Sequence, residues 1–406
     1  MMSTNESGIE RRRFLKMLGA AGIGSMVGSV TGPSTVDAAA MSVTTRPFGQ
    51  TGVQVPILSL GTMFDTGANQ LLLRQAVKWG VTYWDTAQYY NRWGSEHGIG
   101  KYLAKYPQDR KKIFLVSKSG NRDAAGLTAE LEDSLNNLRT DYLDLFFVHA
   151  VDDAESDLTR EIKDWSEKMK SKGKIRLFGF STHSNMAECL SHAATLGWID
   201  GIMTTYNYKV MTTDKMKRAV DACHRAGIGL TAMKTQAESS WISIGRESAE
   251  SKSLTKRFID KGMTKEQAKL LAVWTDERIA AICSQMNTMT ILKANTQAAV
   301  NQSGLTASDR RSFEAEARAT AAHYCAGCTA TCQSVLSQDI PVGKIMRCLM
   351  YSRSYGDHFR ARVEFRDIPA SIRSQLGALD YTAAEHQCPQ NMPIARLMAE
   401  AVAELS

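Results

Sequence analysis

Residues 113–149 read IFLVSKSGNRDAAGLTAELEDSLNNLRTDYLDLFFVH, and this stretch decides the fold. It opens with an apolar run typical of a buried strand, residues 113–119, and closes with another, residues 142–149. Between them, residues 127–138 carry apolar side chains at helical spacing. A strand, a helix and a second strand in this order predict a parallel β/α unit.

The same alternation continues in both directions along the chain. We predict further strands at residues 56–61, 82–87, 175–181, 201–205, 229–235 and 280–285, and further helices at residues 70–79, 95–105, 159–172, 186–196 and 214–225. Repeated strand-then-helix units over about 250 residues are typical of one α/β fold, the closed (β/α)8 TIM barrel. The alternative is an open doubly wound sheet, but the glycine-rich phosphate loop expected after its first strand is not found in the sequence.

Two segments do not follow the repeat. Residues 237–275 form a largely polar insertion after the seventh predicted strand, and they predict a loop and a helix near the barrel mouth. From about residue 306 the chain becomes helical and then carries clustered cysteines. We therefore divide it into residues 1–40, a barrel at residues 41–305 and a mainly helical extension at residues 306–406.

The first forty residues have the pattern of an export signal. Residues 11–16 read RRRFLK, a weakly apolar stretch with four glycines follows at residues 17–30, and residues 38–40 are AAA. This resembles a twin-arginine signal with cleavage after Ala40, and it implies the twin-arginine export machinery as a partner and a periplasmic or otherwise exported protein. An amphipathic helix is the alternative, although each glycine weakens a helix by about 1 kcal/mol relative to alanine.

The charge balance excludes one broad class of function. The chain has 406 residues, with 49 Lys and Arg against 42 Asp and Glu, and its net charge is +7. This excess is small and no long basic tract occurs, so we expect no nucleic-acid partner.

Three consecutive predicted strands end in groups that could share one mouth of the barrel, where reactive side chains are expected. Asp85 ends the second strand and Tyr90 follows it, while Lys118 and His149 end the third and fourth. A lysine beside the phenol is expected to lower its pKa by favouring phenolate. The neighbouring aspartate would hold the lysine, and the imidazole would donate a hydrogen bond to a substrate carbonyl. Each residue alone is compatible with an ordinary structural role, so the prediction depends on the four together.

These residues belong to a series of motifs that resembles the aldo-keto reductase family from about residue 46 to residue 304. The motifs are Arg46-Pro47-Phe48-Gly49, Gly52, Leu60-Gly61-Thr62-Met63, Asp85-Thr86-Ala87 with Tyr90, Glu96 with Gly100, Lys118, and residues 141–145 leading to His149. By position, the resemblance implies a catalytic tetrad of Asp85, Tyr90, Lys118 and His149. Tyr89 competes for the acid role, but the family's spacing selects Tyr90.

The resemblance also implies a nicotinamide cofactor, expected to be NADP(H), lying across the barrel mouth. The residues that it assigns to cofactor binding are Gly61, Thr62, Met63, Asp85, Ser181, Thr182, Tyr206, Lys234 and Lys293. In this assignment Tyr206 stacks on the nicotinamide ring, and Lys293 is either a partner of the 2′-phosphate or a solvated helix lysine. Two positions depart from the family: Thr182 stands in place of an asparagine, and Met203 stands in place of a glutamine.

The cysteines predict a second cofactor. Of the eight cysteines, Cys325, Cys328 and Cys332 lie close together and Cys388 precedes a proline. The region resembles the ferredoxin-like extension of some aldo-keto reductases, which implies that these four thiols hold a [4Fe-4S] cluster. Zinc, a disulfide or a decayed site are the alternatives, and Cys348 is a reserve ligand. We expect the remaining three, Cys189, Cys223 and Cys283, to be buried apolar residues of the barrel.

Together these patterns predict an exported NAD(P)H-dependent oxidoreductase that transfers hydride between a nicotinamide cofactor and a small carbonyl or alcohol substrate, with Tyr90 as the general acid. Reduced nucleotide is not readily replenished outside the cytoplasm, so we expect either that the nucleotide is exported already bound or that the extension passes electrons to it from a redox partner protein. The alternative is a nucleotide-sensing or electron-transfer protein without turnover, which Met203 favours because methionine cannot donate a hydrogen bond.

Overall fold

The computed structural model describes residues 41–237, 248–302 and 304–406, and the predicted export signal lies outside them. Eight parallel strands close into a barrel, so the predicted TIM barrel is confirmed. These strands are β3 (Leu58–Gly61), β4 (Tyr83–Asp85), β5 (Phe114–Ser119), β6 (Leu143–Val148), β7 (Ile175–Thr182), β8 (Gly201–Thr205), β9 (Gly229–Met233) and β10 (Ile279–Gln285). Each pairs with its neighbour in chain order, and β10 pairs with β3 to close the barrel.

Helices surround the barrel. Its outer layer contains α1 (Gln70–Lys78), α2 (Gly94–Lys105), α3 (Ala124–Leu138), α4 (Ala154–Asp157), α5 (Arg160–Ser171), α6 (Met186–Leu196), α7 (Asp214–Arg225), α8 (Ala249–Ile259), α9 (Lys265–Trp274) and α10 (Met289–Asn301), with a 3₁₀ turn at Pro107–Lys112. The six helices predicted from sequence are all present, with ends that differ by a few residues. Side-chain caps such as Asp123, whose carboxylate accepts from the Gly126 N–H at 2.8 Å, fix where several of them begin.

A short hairpin that the sequence reading missed closes one end of the barrel. Strands β1 (Thr45–Pro47) and β2 (Gln54–Pro56) pair antiparallel, and their turn inserts Phe48 beneath the barrel. Glycines make room for this ring, since a Cβ on Gly201 or Gly229 would lie 2.6 or 2.5 Å from it. Because this end is filled by a buried phenyl ring, a substrate must approach from the opposite mouth.

The C-terminal extension has its own helices and its own core. It contains α11 (Ala307–Ala319), α12 (Thr329–Gln333), α13 (Val342–Arg353), α14 (His358–Arg366), α15 (Ala370–Arg373), α16 (Thr382–Gln387) and α17 (Ile394–Leu405), with a 3₁₀ turn at Ala321–His323. Fully buried Leu349, Phe365 and Leu397 belong to this core. Burying each such side chain contributes about 1.5–3 kcal/mol.

The extension docks on the open mouth of the barrel. The Asn185 N–H, in the loop after β7, donates to the Gly327 carbonyl at 2.7 Å, and the Asn207 side chain, after β8, donates to the Tyr324 hydroxyl at 2.8 Å. Gly327 has a φ of +78° and lies so close to this loop that a Cβ there would be 2.5 Å from the His183 carbonyl oxygen. The turn that carries the clustered cysteines is thus fixed beside the barrel mouth.

The insertion after β9 is partly helical, as expected. Residues 238–247 lie outside the described part, and α8 packs against α11 through a buried carboxylate. Asp309 accepts hydrogen bonds from Arg257 and Lys261, each at 2.6 Å, and also caps α11 through Thr306. The insertion therefore braces the start of the extension.

Residues 41–406 form one compact unit. The division between a barrel at residues 41–305 and an extension at residues 306–406 stays a prediction. Within the described ranges, no helix is both long enough and apolar enough to cross a membrane.

Candidate active site

The structure brings the four predicted tetrad residues together at the open mouth. The Lys118 ammonium lies 2.7 Å from the Asp85 carboxylate and donates to the Thr86 carbonyl at 2.7 Å and to the Tyr90 hydroxyl at 3.3 Å. The Tyr90 and His149 rings meet edge to face with centroids 6.1 Å apart. Strand alternation explains this convergence: Asp85, Lys118 and His149 continue the inward-facing positions of neighbouring strands.

The predicted pKa change at Tyr90 has the wrong sign in this structure. Burial raises the pKa of the Tyr90 phenol well above its usual value of 10.0, and the Asp85 carboxylate raises it further. The positive charge of Arg360 lowers the pKa of Tyr90 but does not outweigh these effects. Tyr90 therefore carries its proton at neutral pH, which suits a donor rather than a base.

His149 contacts a different tyrosine. The Tyr89 hydroxyl lies 2.9 Å from Nδ1 of His149, and the two rings stack with centroids 5.2 Å apart. Burial lowers the pKa of His149 well below 6.5, and the charges of Lys118 and Arg360 lower it further. The imidazole is therefore neutral, so it can donate one hydrogen bond and accept another. At the mouth, Tyr89 therefore contacts the imidazole, and Tyr90 contacts the ammonium.

The residues after Tyr90 have an unusual backbone. Asn91, Arg92 and Trp93 all have positive φ, between 50° and 68°. Such conformations are costly for residues with a Cβ and need support from their surroundings. Here the guanidinium of Arg92 lies 4.2 Å from the centre of the Phe359 ring in α14. The loop that positions Tyr90 is therefore in contact with the extension.

Comparison with known proteins agrees with this geometry. The sequence profile of the "Aldo/keto reductase family" matches residues 58–292, which contain all four tetrad residues. The chain belongs to the aldo/keto reductase family. A glyoxal reductase of Bacillus subtilis is 31% identical over 188 residues, covering 45% of this chain and 63% of its own. A methylglyoxal reductase of Escherichia coli is 39% identical over 111 residues, covering 27% and 37%.

A third curated relative and a solved structure extend the comparison. An NADP(+) aldo-keto reductase of Schizosaccharomyces pombe is 29% identical over 187 residues, covering 41% of this chain and 53% of its own. This chain therefore spans less than two thirds of the length of each curated relative described here. A Bacillus halodurans aldo-keto reductase in its holo form superposes with a TM-score of 0.56 at 22% identity, covering 68% of this chain and 96% of that one. This likeness shows the shared fold alone.

Within this aldo/keto reductase barrel, some predicted cofactor residues line the mouth. Gly61 faces Cys283, whose Sγ would be 3.1 Å from a Cβ at that position. The Thr62 hydroxyl donates to the Asp85 carbonyl at 2.8 Å and so braces the tetrad. Ser181 continues the inward row of β7, and its hydroxyl accepts from the Ala150 N–H at 3.1 Å. Inward-facing Gly61 and Ser181 fit a nicotinamide ring placed beside Tyr90, whereas buried Thr62 accepts a hydrogen bond from Ser95 of the outer helix α2 at 2.9 Å.

Two predicted cofactor residues do not face the mouth. Thr182 follows the outward register of β7, and its buried hydroxyl donates to the Ser184 carbonyl at 2.7 Å. Tyr206 is fully buried in the layer between strands and helices, and its hydroxyl donates to the Asp276 carboxylate at 2.6 Å. The predicted stacking of Tyr206 on the nicotinamide is therefore wrong, because one position along a strand turns a side chain to the other face.

Of the other predicted cofactor residues, Met63 and Lys234 are covered by side chains of the extension, and Lys293 is exposed to solvent. Met63 contacts the guanidinium of Arg360. Lys234 lies under two rings of the extension, with its ammonium 5.0 Å from the centre of Tyr351 and 5.5 Å from that of Tyr355. Lys293 is exposed on α10, and its role toward a 2′-phosphate stays a prediction.

Sequence reasoning missed the groups that the extension contributes to this mouth. Arg360 lies over the Tyr351 ring at 4.0 Å, donates to the Tyr351 hydroxyl at 3.1 Å and pairs with Glu364 at 2.6 Å. No motif signals this position, because it depends on how α14 docks. Cys283, expected to be an inert apolar residue, instead points inward with its Sγ 3.7 Å from the Asp85 carboxylate.

The four predicted cluster ligands line one small cavity in the extension. Cys325, Cys328, Cys332 and Cys388 share it with apolar side chains such as Val342 and Ile394. Cys328 and Cys332 stand one helical turn apart across α12, which explains why three residues between them keep both thiols on one side. Cys348 does not line this cavity and lies in the apolar core instead.

The donor set fits an iron-sulfur cluster. Burial raises the pKa of Cys325 to about 12 and that of Cys332 to about 11, and the other thiols add to both shifts. Backbone hydrogen bonding from Gly327 to Cys325 and from Gln333 to Cys332 acts against these increases in pKa, and such bonds tune clusters. All eight cysteines are free thiols in this structure, and the described ranges contain no group of three or more His, Cys, Asp or Glu side chains that could hold a metal ion. The cavity that the four thiols share is therefore the geometric observation in favour of a cluster.

Proposed function

We propose that this protein reduces a small carbonyl compound, or oxidises the corresponding alcohol, with a nicotinamide nucleotide as hydride source and Tyr90 as the general acid. The observation that carries the proposal is the chain of contacts from Asp85 through Lys118 to the Tyr90 hydroxyl at an open barrel mouth. The reductase names of the curated relatives support the same reaction class.

Each tetrad residue has a distinct task in this proposal. Tyr90 keeps its proton until a carbonyl oxygen accepts it, because its pKa is raised by burial. Lys118, 3.3 Å from the phenol oxygen, stabilises the phenolate that remains. Asp85 holds the ammonium in place. Neutral His149 donates to the same carbonyl oxygen and so orients the substrate, in place of its present bond to Tyr89.

NADP(H) is the proposed nucleotide. When bound, it supplies the hydride that none of these side chains can provide. Gly61, Thr62, Met63 and Ser181 would hold its nicotinamide end, and Lys234 and Lys293 would meet its phosphates. The NADP(+) in the name of the Schizosaccharomyces pombe relative supports NADP(H) over NADH.

We also propose that the extension carries a [4Fe-4S] cluster on Cys325, Cys328, Cys332 and Cys388. The cluster cavity adjoins the cavity at the barrel mouth, since Cys325, Ala326 and Met346 line both. This proximity supports delivery of electrons from a redox partner protein toward the mouth. Residues 1–40 support export of the folded protein through the twin-arginine route to the periplasm.

The decisive experiment compares Tyr90→Phe with Tyr89→Phe in single-turnover hydride transfer from NADPH to methylglyoxal and other small aldehydes. Tyr90→Phe should lower the rate by about 10²–10⁴-fold, the usual contribution of a general acid. Tyr89→Phe removes a hydroxyl that contacts only the imidazole, so we expect a loss of less than about tenfold. Equal rates for wild type and Tyr90→Phe would exclude this role for Tyr90.

The second candidate is a nucleotide-sensing or electron-transfer protein without turnover. Two observations favour it: inward-facing Met203 offers no hydrogen bond to a carboxamide, and Tyr351 and Tyr355 cover Lys234. The same stopped-flow experiment distinguishes the two candidates. Nucleotide binding without hydride transfer to any carbonyl would favour the second.

A further inference from the structure

Ser95, at the start of α2, contacts the segments that follow β3 and β4, although it does not belong to the tetrad. Its hydroxyl donates to the Thr62 carbonyl at 2.7 Å and shares a hydrogen bond with the Thr86 hydroxyl at 3.0 Å. Its backbone N–H donates to the Tyr90 carbonyl at 3.2 Å. Ser95 is fully buried. It therefore joins the segment that carries the proposed general acid to the ends of two barrel strands.

These contacts close a ring of hydrogen bonds that passes through two tetrad residues. From Ser95 the ring runs to the Thr86 hydroxyl, and the Thr86 carbonyl accepts from the Lys118 ammonium at 2.7 Å. Lys118 donates to the Tyr90 hydroxyl at 3.3 Å, and the Tyr90 carbonyl accepts from the Ser95 N–H. Because both arms of the ring meet at Ser95, a shift of this residue moves the ammonium and the phenol relative to each other.

The loop between Tyr90 and Ser95 needs this support. Asn91, Arg92 and Trp93 have φ between 50° and 68°, a conformation that is costly for residues with a Cβ. Such a backbone persists only where its surroundings fix it. The Ser95 N–H ties the far end of the loop to the Tyr90 carbonyl, so the loop closes on itself. We therefore expect a displaced Ser95 to let the loop relax and to move the phenol away from the ammonium.

The next residue anchors this point of α2 to the strand that carries Lys118. Glu96 is fully buried, and its carboxylate accepts from the Ser117 hydroxyl at 2.6 Å and from the Asn137 amide at 3.2 Å. A buried carboxylate is costly without such donors, so these bonds hold α2 against its neighbours. Ser117 directly precedes Lys118 in β5. The start of α2 is therefore fixed relative to the ammonium.

We propose that Ser95 is a positioning residue for the reaction, which sets the distance between the Lys118 ammonium and the Tyr90 phenol during proton transfer. The inference rests on the proposed function, since it concerns the same general acid. In this role Ser95 acts only through Thr86 and the Tyr90 backbone. Its loss is therefore expected to lower the rate of the chemical step and to leave KM within about twofold of the wild-type value.

The test makes the same substitution at two fully buried threonines that both bond to Ser95. Thr86→Val breaks the ring, whereas Thr66→Val removes a hydroxyl that donates to the Ser95 carbonyl at 2.7 Å, outside the ring. The measurement is single-turnover hydride transfer from NADPH to methylglyoxal. Thr86→Val should lower the rate by about 10- to 100-fold and Thr66→Val by less than about threefold, because a misplacement of about 1 Å costs about 10²-fold.

Two further variants complete the comparison. Thr86→Ser keeps the hydroxyl and should restore the rate to within about threefold of wild type. Ser95→Ala removes the other hydroxyl of the same hydrogen bond and should lower the rate as Thr86→Val does. It replaces Thr86→Val in the test if that variant does not fold. Equal rates in Thr86→Val and Thr66→Val, or no recovery in Thr86→Ser, would overturn the inference.

Dependence on the phenol gives a readout that a purely structural role would not move. In a Tyr90→Phe background, Thr86→Val should change the residual rate by less than about twofold, because the hydroxyl that the ring positions is absent. A loss in this background as large as in the wild-type background would mean that Thr86 acts through general packing. That result would also overturn the inference.

Failure of the proposed function has a different signature. If Tyr90→Phe transfers hydride as fast as wild type, or if wild-type protein reduces no aldehyde, the general-acid role is wrong and this inference is rejected with it. If Tyr90→Phe is slow while Thr86→Val is as fast as Thr66→Val, the general acid stands and only the positioning role of Ser95 is rejected.

Discussion

The barrel mouth and the cysteine cavity lie side by side, yet their ionisable groups are arranged in opposite ways. At the mouth, the Asp85 carboxylate and the Lys118 ammonium form a buried pair 2.7 Å apart, so the charge is matched before any ligand arrives. In the cysteine cavity, four thiols face one another and burial raises the pKa of three of them. The charges at the first site match each other without a ligand, whereas the three thiols with raised pKa in the second site would ionise only with a cation beside them.

The largest expected effect tests the cysteine side of this comparison. Cys328→Ser should lower the iron and acid-labile sulfide content of anaerobically purified protein by at least about tenfold, because a hydroxyl is a poor substitute for a thiolate ligand. Cys348→Ala provides the control, since this thiol lies in the core of the extension and does not line the cavity. The control should retain wild-type iron and sulfide.

The contrary outcomes are equally specific. If wild-type protein contains zinc and no acid-labile sulfide, the four cysteines form a zinc site and not an iron-sulfur cluster. Loss of the cluster in Cys348→Ala but not in Cys388→Ser would make Cys348 the fourth ligand. If protein without the cluster still shows the same Tyr90-dependent hydride transfer, the reaction at the barrel mouth does not depend on the cysteine cavity.

The mouth is expected to respond to the loss of one charge. Lys118→Met leaves the Asp85 carboxylate buried without its partner, which should lower the free energy of unfolding by about 3–5 kcal/mol in urea denaturation. The double variant Asp85→Asn with Lys118→Met removes both charges and should recover a large part of this loss. The exposed control Lys101→Met should change stability by less than about 0.5 kcal/mol.

This second prediction can fail in an informative way. If the single and double variants are equally destabilised, the loss arises from packing and not from the unpaired charge. The matched charge at the mouth would then not be the feature that distinguishes it from the cysteine cavity.

The barrel and the tetrad could be predicted because both follow from local periodicity. Each β/α repeat is visible in the sequence, and Asp85, Lys118 and His149 end successive strands, so the topology alone brings them together. Tyr206 shows the limit of this reasoning. Its position at the end of β8 was correct, but its outward direction depends on a one-residue register that a motif match does not specify.

The extension shows a second limit. Arg360 reaches Met63 only because α14 docks on the barrel mouth, a contact between segments almost three hundred residues apart. The pKa of Tyr90 was mispredicted for a related reason. Proximity to Lys118 was visible in the sequence, whereas the degree of burial that outweighs it depends on the closed structure.

The smallest expected effect concerns the attachment between the two regions. Burial alone would raise the pKa of Asp309, but hydrogen bonds from Lys261, Thr306 and Arg257 outweigh it and lower that pKa. Because the folded pKa lies below the unfolded one, the stabilisation is complete above about pH 4 and declines as the pH falls further. Solvent reaches Lys261 and Arg257, so we expect Asp309→Asn to cost about 1–2 kcal/mol at pH 7.

Urea denaturation of wild type and Asp309→Asn at pH 7 and at pH 3 measures this attachment. The difference between the two proteins should shrink at pH 3, where the carboxylate of the unfolded wild type is protonated. The control Asp260→Asn makes the same change in charge on the same insertion. Asp260 is exposed and lies outside the buried contact. A difference that is the same at both pH values would mean that Asp309 holds α8 to α11 by shape and not by charge. The cysteine-bearing extension would then be attached to the barrel by packing, like any other layer of the core.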